Sequence, residues 1–299
     1  MKRSFLALVL MLASAAGALR HQGFDVDGAA RANCDSTAAP FSRLANEAFA
    51  LANEVFEKAG DVAYEHTPRP AAEQVLNTGG EWVARTDCSG FVSYILNKAA
   101  PAPQYAAVMD YARRQYREDQ ERQNRTPRKD RPYYPDAKEY ADFFGTLSTQ
   151  TAVNGWIGVA TVWDLRRGDI IAWAKENWDG KGNSGHVAIV VEPPAREFVE
   201  TTALEKNKDG IVHEVKIRCI RIRVLDSSSV SHFDDEKLPP SVKPRQQQRD
   251  GVGIGYIRLV LDSVGTPIRY WEGYYWGEGQ KEIKAPSKSS DIHFGRLID

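Results

Sequence analysis

The chain has 299 residues, 42% of them hydrophobic and 26% charged, with 39 basic against 40 acidic side chains. That length and balance suit one sizeable folded domain and exclude a disordered chain, and the near-neutral charge argues against nucleic acid as a partner. At the start, Met1-Lys2-Arg3 is basic, Phe5 to Ala16 is apolar and Ala16-Gly17-Ala18 is a small-x-small site. This is the pattern of a secretory signal peptide over 1–18, cleaved after Ala18, with an apolar core too short to span a bilayer. No cysteine follows the cleavage site, which argues against a lipid anchor. No later stretch is apolar enough for a transmembrane helix. The expectation is an exported protein, periplasmic or extracellular, without stable membrane insertion. Residues 19–40 read as an irregular lead-in. The folded domain is expected over 41–280, opening with a helix from Phe41 to Lys58 that carries Leu44, Phe49, Leu51 and Phe56.

Asp87-Cys88-Ser89-Gly90 follows, leading into the apolar run Phe91-Val92-Ser93-Tyr94-Ile95-Leu96. It reads as a turn feeding a helix whose first turn holds a cysteine. Phe91, Val92, Ile95 and Leu96 share one helix face with Cys88 above them. A helix N-terminus stabilises anions, and a cysteine there is a candidate nucleophile. A buried structural cysteine at a helix start fits the same segment. Gly90 in the first turn costs helix propensity, which makes sense if another backbone passes close by. Pro101-Ala102-Pro103 then breaks the chain. Arg113 to Arg131 carries eight basic and four acidic residues, as a solvated helix face, a mobile loop or a surface for anionic polymer would. With the aromatic stretch from Tyr133 to Gly155, it is expected to form an insertion over about 101–160 that shapes access to a site.

Leu165 to Trp173, with Gly168-Asp169, reads as a turn entering a strand. Gly185-His186-Val187-Ala188-Ile189-Val190-Val191 is apolar on both faces, as a doubly covered central strand is, with a histidine at its mouth. His186 lies 98 residues after Cys88. A lone histidine there could be a satisfied core residue. Beside a cysteine it is the base that a thiol needs at neutral pH. Further on, period-2 alternation puts Ile220, Ile222, Val224 and Asp226 on one strand face, and an acid closing an apolar face needs a partner. Gly253 to Leu261 and Pro267 to Trp271 read as a hairpin around Asp262-Ser263-Val264-Gly265. The Gly251-x-Gly253-x-Gly255 pattern lies inside a strand with no helix after it, which argues against a nucleotide. Residues 281–299 read as a tail, disordered apart from its last few residues. Trp163, Trp173, Trp178, Tyr274, Tyr275 and Trp276 could line a sugar-binding cleft or pack as core and rim. No metal motif, no Gly-x-Ser-x-Gly elbow and no cofactor signature occurs, so neither metal nor cofactor is expected.

Taken in order, Asp87-Cys88-Ser89-Gly90-Phe91, Leu165 to Ile171 with Gly168-Asp169, and Gly185-His186-Val187 resemble the NlpC-like family of bacterial cell-wall cysteine peptidases, over roughly Phe41 to Gly273. The resemblance implies an α+β, papain-like fold, with the nucleophile helix packed on a central antiparallel β-sheet. It implies Cys88 as nucleophile and His186 as general base, with Asp87 and Ser89 as candidates for holding a substrate's free amine. Tyr64 corresponds to a family tyrosine near the nucleophile, although the Gly-Gly expected soon after it comes only at Gly79-Gly80. The substrate implied is peptidoglycan or a muropeptide, cut at an amide of the stem peptide through an acyl-enzyme.

The family places a third polar residue, which orients the imidazole, about a dozen residues beyond the histidine. Here that distance falls at Glu200. Asp226 is preferred for its place on the alternating strand, with 193–218 then an insertion; His232 or a purely structural Asp226 stay open. An exported protein also pairs accessible thiols while a catalytic one stays reduced, so a Cys34–Cys219 disulfide with Cys88 left out of it is expected. Cys219 could equally be a plain buried residue. The alternatives to a peptidase are an amidase or acyltransferase with the same constellation, and a catalytically silent wall-binding module of the same fold.

Overall fold

Ser42 starts the first helix, α1 (Arg43–Lys58), accepting a hydrogen bond from the Ala45 amide at 3.2 Å. The carboxylate of Asp299 joins it there, accepting from the amides of Arg43 and Leu44 at 3.1 Å each. Small residues at helical spacing, Ala45, Ala48, Ala52 and Val55, form the buried stripe of α1. The computed structural model describes residues 42–79, 81–129, 131–175, 184–206, 212–229, 232, 250–261, 267–271 and 291–299, all within the unit Phe41–Asp299. The expected signal peptide and lead-in, and Cys34 with its pairing, lie outside the described residues.

After α1 come β1 (Ala59–Ala63), β2 (Val75–Thr78) and β3 (Glu81–Arg85), a small sheet in the order β1-β3-β2 with β1 parallel to β3. β3 delivers the chain straight to α2 (Cys88–Ala99). Every residue of α2 from Cys88 to Leu96 is buried. The helix therefore has cover all round rather than along the single apolar face expected, and its polar side chains find partners inside: the Ser93 and Tyr140 hydroxyls share a 2.8 Å hydrogen bond. α3 (Ala106–Arg122) and α4 (Ala137–Gly145) occupy the stretch read as an insertion. α4 opens with a reciprocal cap in which Asp136 accepts from the Glu139 amide and Glu139 from the Asp136 amide, both at 2.8 Å.

The larger sheet comprises β4 (Trp156–Gly158), β5 (Ile170–Ala174), β6 (Gly185–Val190), β7 (Val199–Lys206), β8 (Val212–Ser228), β9 (Gly251–Leu261), β10 (Pro267–Trp271) and β11 (Ile292–Leu297). Its order is β10-β9-β8-β6-β5-β11-β4, antiparallel throughout, with β7 paired to β8. The fold is α+β. β5 and β6 are buried along their whole length, as continuous apolar runs in a doubly covered centre should be. One face packs on the helices through Val187, Ile189 and Leu225. The other buries Trp173, Ala188, Val190, Ile220, Ile222 and Val224. No helix among the described residues is long and apolar enough to cross a membrane.

Two stretches differ in form from the sequence reading. The insertion expected over 193–218 is a pairing of β7 with the first part of β8, from Val199↔Cys219 to Lys206↔Val212. β8 then runs on, unbroken, to pair with β9 from Ile220↔Leu259 to Ser228↔Gly251. Cys219 is fully buried at that changeover. The residues placed in a tail include β11, which is seated between β5 and β4. Its Arg296 forks onto Asp169, with Nε to Oδ1 and an Nη2 contact to Oδ2 both at 2.8 Å. Asp169 also accepts from the Arg166 amide at 2.7 Å, so the acid closes the turn into β5 and ties it to the C-terminal strand. Arg296→Ala is expected to leave this 1%-exposed carboxylate without its cation and to cost about 3–5 kcal/mol, read as a lowered urea midpoint at unchanged slope.

Candidate active site

Cys88 is the first residue of α2, and the segment before it is fixed from three sides. The Ser227 hydroxyl of β8 donates to the Thr86 carbonyl at 2.6 Å, and the Thr86 hydroxyl donates to Gln74 Oε1 at 2.8 Å. Asp87 caps the helix, its Oδ1 accepting from the Gly90 amide at 2.6 Å and the Ser89 hydroxyl at 3.0 Å. Gly90 is required for space: a Cβ there would stand 2.5 Å from Thr86 Oγ1 and 2.7 Å from Gln74 Oε1. The close neighbours are side chains rather than the backbone that the sequence suggested.

His186, second residue of β6, lies opposite Trp173 of β5, their rings 5.0 Å apart. Its imidazole is within hydrogen-bonding reach of the Cys88 thiol, and its Nε2 is bonded to Asp226 Oδ2. With Nε2 so engaged, Nδ1 is the ring nitrogen left for the sulfur. Asp226 is fully buried, and its Oδ1 bonds Nε2 of His232. The register explains the meeting: β6 and β8 pair at Ile189↔Leu225 and Val190↔Val224, which sets Asp226 beside the mouth of β6. The expected alternation is present, with Ile220, Ile222 and Val224 all fully buried. Glu200 sits on β7, paired across to Arg218 on the part of β8 that precedes this junction.

Burial alone would lower the pKa of His186, but the Cys88 sulfur and the Asp226 carboxylate raise it well above the ordinary imidazole value. For Asp226 burial works against the charged form too. The charges and hydrogen bonds of His232 and His186 outweigh it and hold the carboxyl far below the usual range.

A second imidazole–carboxylate pair flanks the cysteine. His66 Nδ1 is 2.8 Å from Asp87 Oδ2, and Tyr134 donates its hydroxyl to the same oxygen at 2.9 Å. Tyr64 lies next along, its hydroxyl 3.2 Å from His66 Nε2. Burial disfavours the charged Asp87, yet the His66 and Gly90 hydrogen bonds keep its pKa below the ordinary value. The Asp87 hydrogen bond in turn raises His66, against partial burial. All four residues assigned from the motif and its flank are thus close together: Cys88, Asp87, Ser89 and, through His66, Tyr64. Sequence reading passed over His66, a lone histidine in a connection without periodicity, and gave Tyr134 no role.

A cavity of about 130 Å³ opens beside the thiol, lined by His66, Asp87, Cys88, Ser89, Tyr134, Asp136, Ala137 and Ser184. Tyr134 and Asp136 also belong to a groove of about 720 Å³ between α3, the segment around Arg131 to Tyr134, and α4. Of the aromatic side chains named from sequence, Trp173 is core and Trp163 packs on Phe198; Trp178 and 274–276 lie outside the described residues. Among the described residues no group of three His, Cys, Asp or Glu side chains is placed to hold a metal ion.

No protein-family model matches the chain, and no solved structure matches it. Over 251 residues it is 24% identical to an uncharacterized protein, R653, of Acanthamoeba polyphaga mimivirus, a match covering 83% of this chain and 92% of that protein.

Proposed function

We propose that the chain is a cysteine hydrolase of papain-like fold that cleaves amide bonds, with the peptidoglycan stem peptide as substrate. The observation that carries the chemistry is that His186, within reach of the Cys88 thiol, is bonded to Asp226, with the three brought together by α2, β6 and β8. In the first step the thiol proton passes to His186 Nδ1 and the sulfur attacks the amide carbonyl. The Cys88 amide is the natural donor to the oxyanion, because the neighbouring Gly90 and Phe91 amides already donate to Asp87. His186 returns the proton to the departing amine, leaving a thioester. Water, deprotonated by His186, then adds to the thioester, and the acid leaves as the thiol is restored. Asp226 accepts from Nε2 throughout, which fixes the tautomer presenting Nδ1 to the sulfur.

Support for the substrate is of another kind. It comes from the resemblance of the three motifs and from the export signal, and the groove that adjoins the cysteine cavity at Tyr134 and Asp136 gives a chain-like substrate room to extend. One feature favours a second reading, a silent wall-binding module: the cavity at the thiol is small, and Tyr134 and Ala137 of the inserted segment wall it in.

Mass spectrometry of muropeptides from purified sacculi, incubated with the chain from Leu19 onwards and with its Cys88→Ala variant, separates these. Fragments released by the wild type alone are expected, and their masses name the bond. Retention on sacculi by both proteins without fragments would establish the binding module, and neither fragments nor retention would move the search to other amides.

A further inference from the structure

His232 lies outside the Cys88–His186–Asp226 constellation, yet its environment is as closely built. The ring is 6% exposed, and its Nε2 takes the one oxygen of Asp226 that His186 leaves. Space for it is made on the neighbouring strand. Asp226 pairs with Gly253 across β8 and β9, and a Cβ at Gly253 would stand 2.5 Å from both Cγ and Nδ1 of His232. The glycine pattern in β9, which suggested a nucleotide loop only superficially, has a local use here. It leaves a seat for an imidazole at the register position facing the buried acid.

We propose that His232 is a positioning residue: by holding Asp226 Oδ1, it fixes the carboxylate in the orientation that serves His186, so the thiol is activated through a chain of four side chains rather than three. This rests on the reading of Cys88 as a nucleophile activated by His186.

The physical need is clear. Each N–H donor that a buried carboxylate accepts limits its turning about the Cα–Cβ and Cβ–Cγ bonds and offsets the cost of burying its charge. A second imidazole adds to both effects at a fully buried position. Among the described residues, the titratable groups that act most strongly on Asp226 are His186 from β6 and His232 from beyond β8; Cys88 of α2 acts on His186. Without His232, Asp226 loses the donor on Oδ1 that holds the carboxylate toward His186.

The test does not require the substrate. Alkylation of Cys88 by iodoacetamide, located by peptide mass spectrometry, is followed against pH in the folded chain. The wild type is compared with His232→Ala, His232→Gln, Gly253→Ala, Asp226→Ala and the Asp226→Ala/His232→Ala pair. Far-UV circular dichroism and a thermal scan establish that each is folded. The acid limb of the alkylation profile is expected to move up by about one pH unit in His232→Ala, a roughly tenfold loss of rate on that limb. Gly253→Ala should do the same by displacing the ring, and His232→Gln, which keeps an N–H donor, should restore most of the rate. In the Asp226→Ala background, loss of His232 should cost nothing more. An acid limb that stays in place or moves down in folded His232→Ala overturns the inference, as does an equal loss in the Asp226→Ala background. A wild-type Cys88 that reacts no faster than a small-molecule thiol below neutral pH would instead overturn the nucleophile reading itself.

Discussion

Replacing His186 with alanine is expected to slow turnover of an amide substrate by about 10⁴-fold, with KM within about twofold of the wild type. In the proposed mechanism His186, whose imidazole is within reach of the Cys88 thiol, is the base. The nearby imidazole, His66, is bonded to Asp87 and Tyr64. The losses should also fail to add: once the nucleophile is gone, the base has nothing to activate, so the Cys88→Ala/His186→Ala pair should be as slow as Cys88→Ala alone. The pH dependence has a defined sign. The proton on His186 is fully present below the ordinary imidazole pKa and is lost only as pH rises through its raised value. The alkaline limb of kcat/KM should therefore lie well above ordinary imidazole titration. Steady-state rates against pH for the wild type, and single-point rates for the variants, check both statements. A His186→Ala enzyme within tenfold of the wild type would remove His186 from the chemistry.

Much of this site was legible because its parts lie on strongly patterned elements. The apolar run after Cys88 read as a helix with one apolar face, the two-sided run after His186 as a central strand, and alternation from Ile220 put Asp226 on an apolar face. What alternation could not give was register. Whether Asp226 or Glu200 faced His186 depended on β6 pairing with β8 at Ile189↔Leu225, a relation between segments far apart in sequence. The same limit hid β11. Six residues with a glycine at Gly295, isolated between polar stretches, carry too weak a period to be read as a strand, and only the sheet around them supplies the reason for one. His66 and Tyr134 were invisible for a different cause. Both sit in irregular connections, and they matter only because two loops converge on Asp87 Oδ2. That convergence changes how the motif reads. The Asp87 carboxylate accepts from Gly90, Ser89, His66 and Tyr134 within the chain, so a substrate amine reaching it has to displace one of these donors.

Asp226 is fully buried and bonded to two imidazoles, so in the proposed mechanism its loss bears on structure and chemistry together. Asp226→Ala leaves two buried imidazoles, His186 and His232, without the acceptor they share, and creates a void beneath β6. A loss in turnover of about 10²- to 10⁴-fold is expected, since an imidazole without its orienting acid presents the wrong tautomer part of the time. The alkaline limb should fall toward the ordinary imidazole value, because the carboxylate is one of the groups that raise His186. Asp226→Asn separates charge from shape. The amide fills the same volume but cannot offer two acceptors to two N–H donors, so it should lose nearly as much activity and show the same shift of the limb. Stability should follow the linkage sign. A depressed carboxyl pKa stabilises the fold above the unfolded carboxylate value and ceases to do so as pH falls through the folded one. The urea-unfolding gap between wild type and Asp226→Asn should therefore be widest near neutrality and narrow as the solution is acidified. An Asn variant that keeps its alkaline limb but loses stability would make Asp226 an anchor for β8 alone, and the orientation of His186 would then have to come from its packing on Trp173.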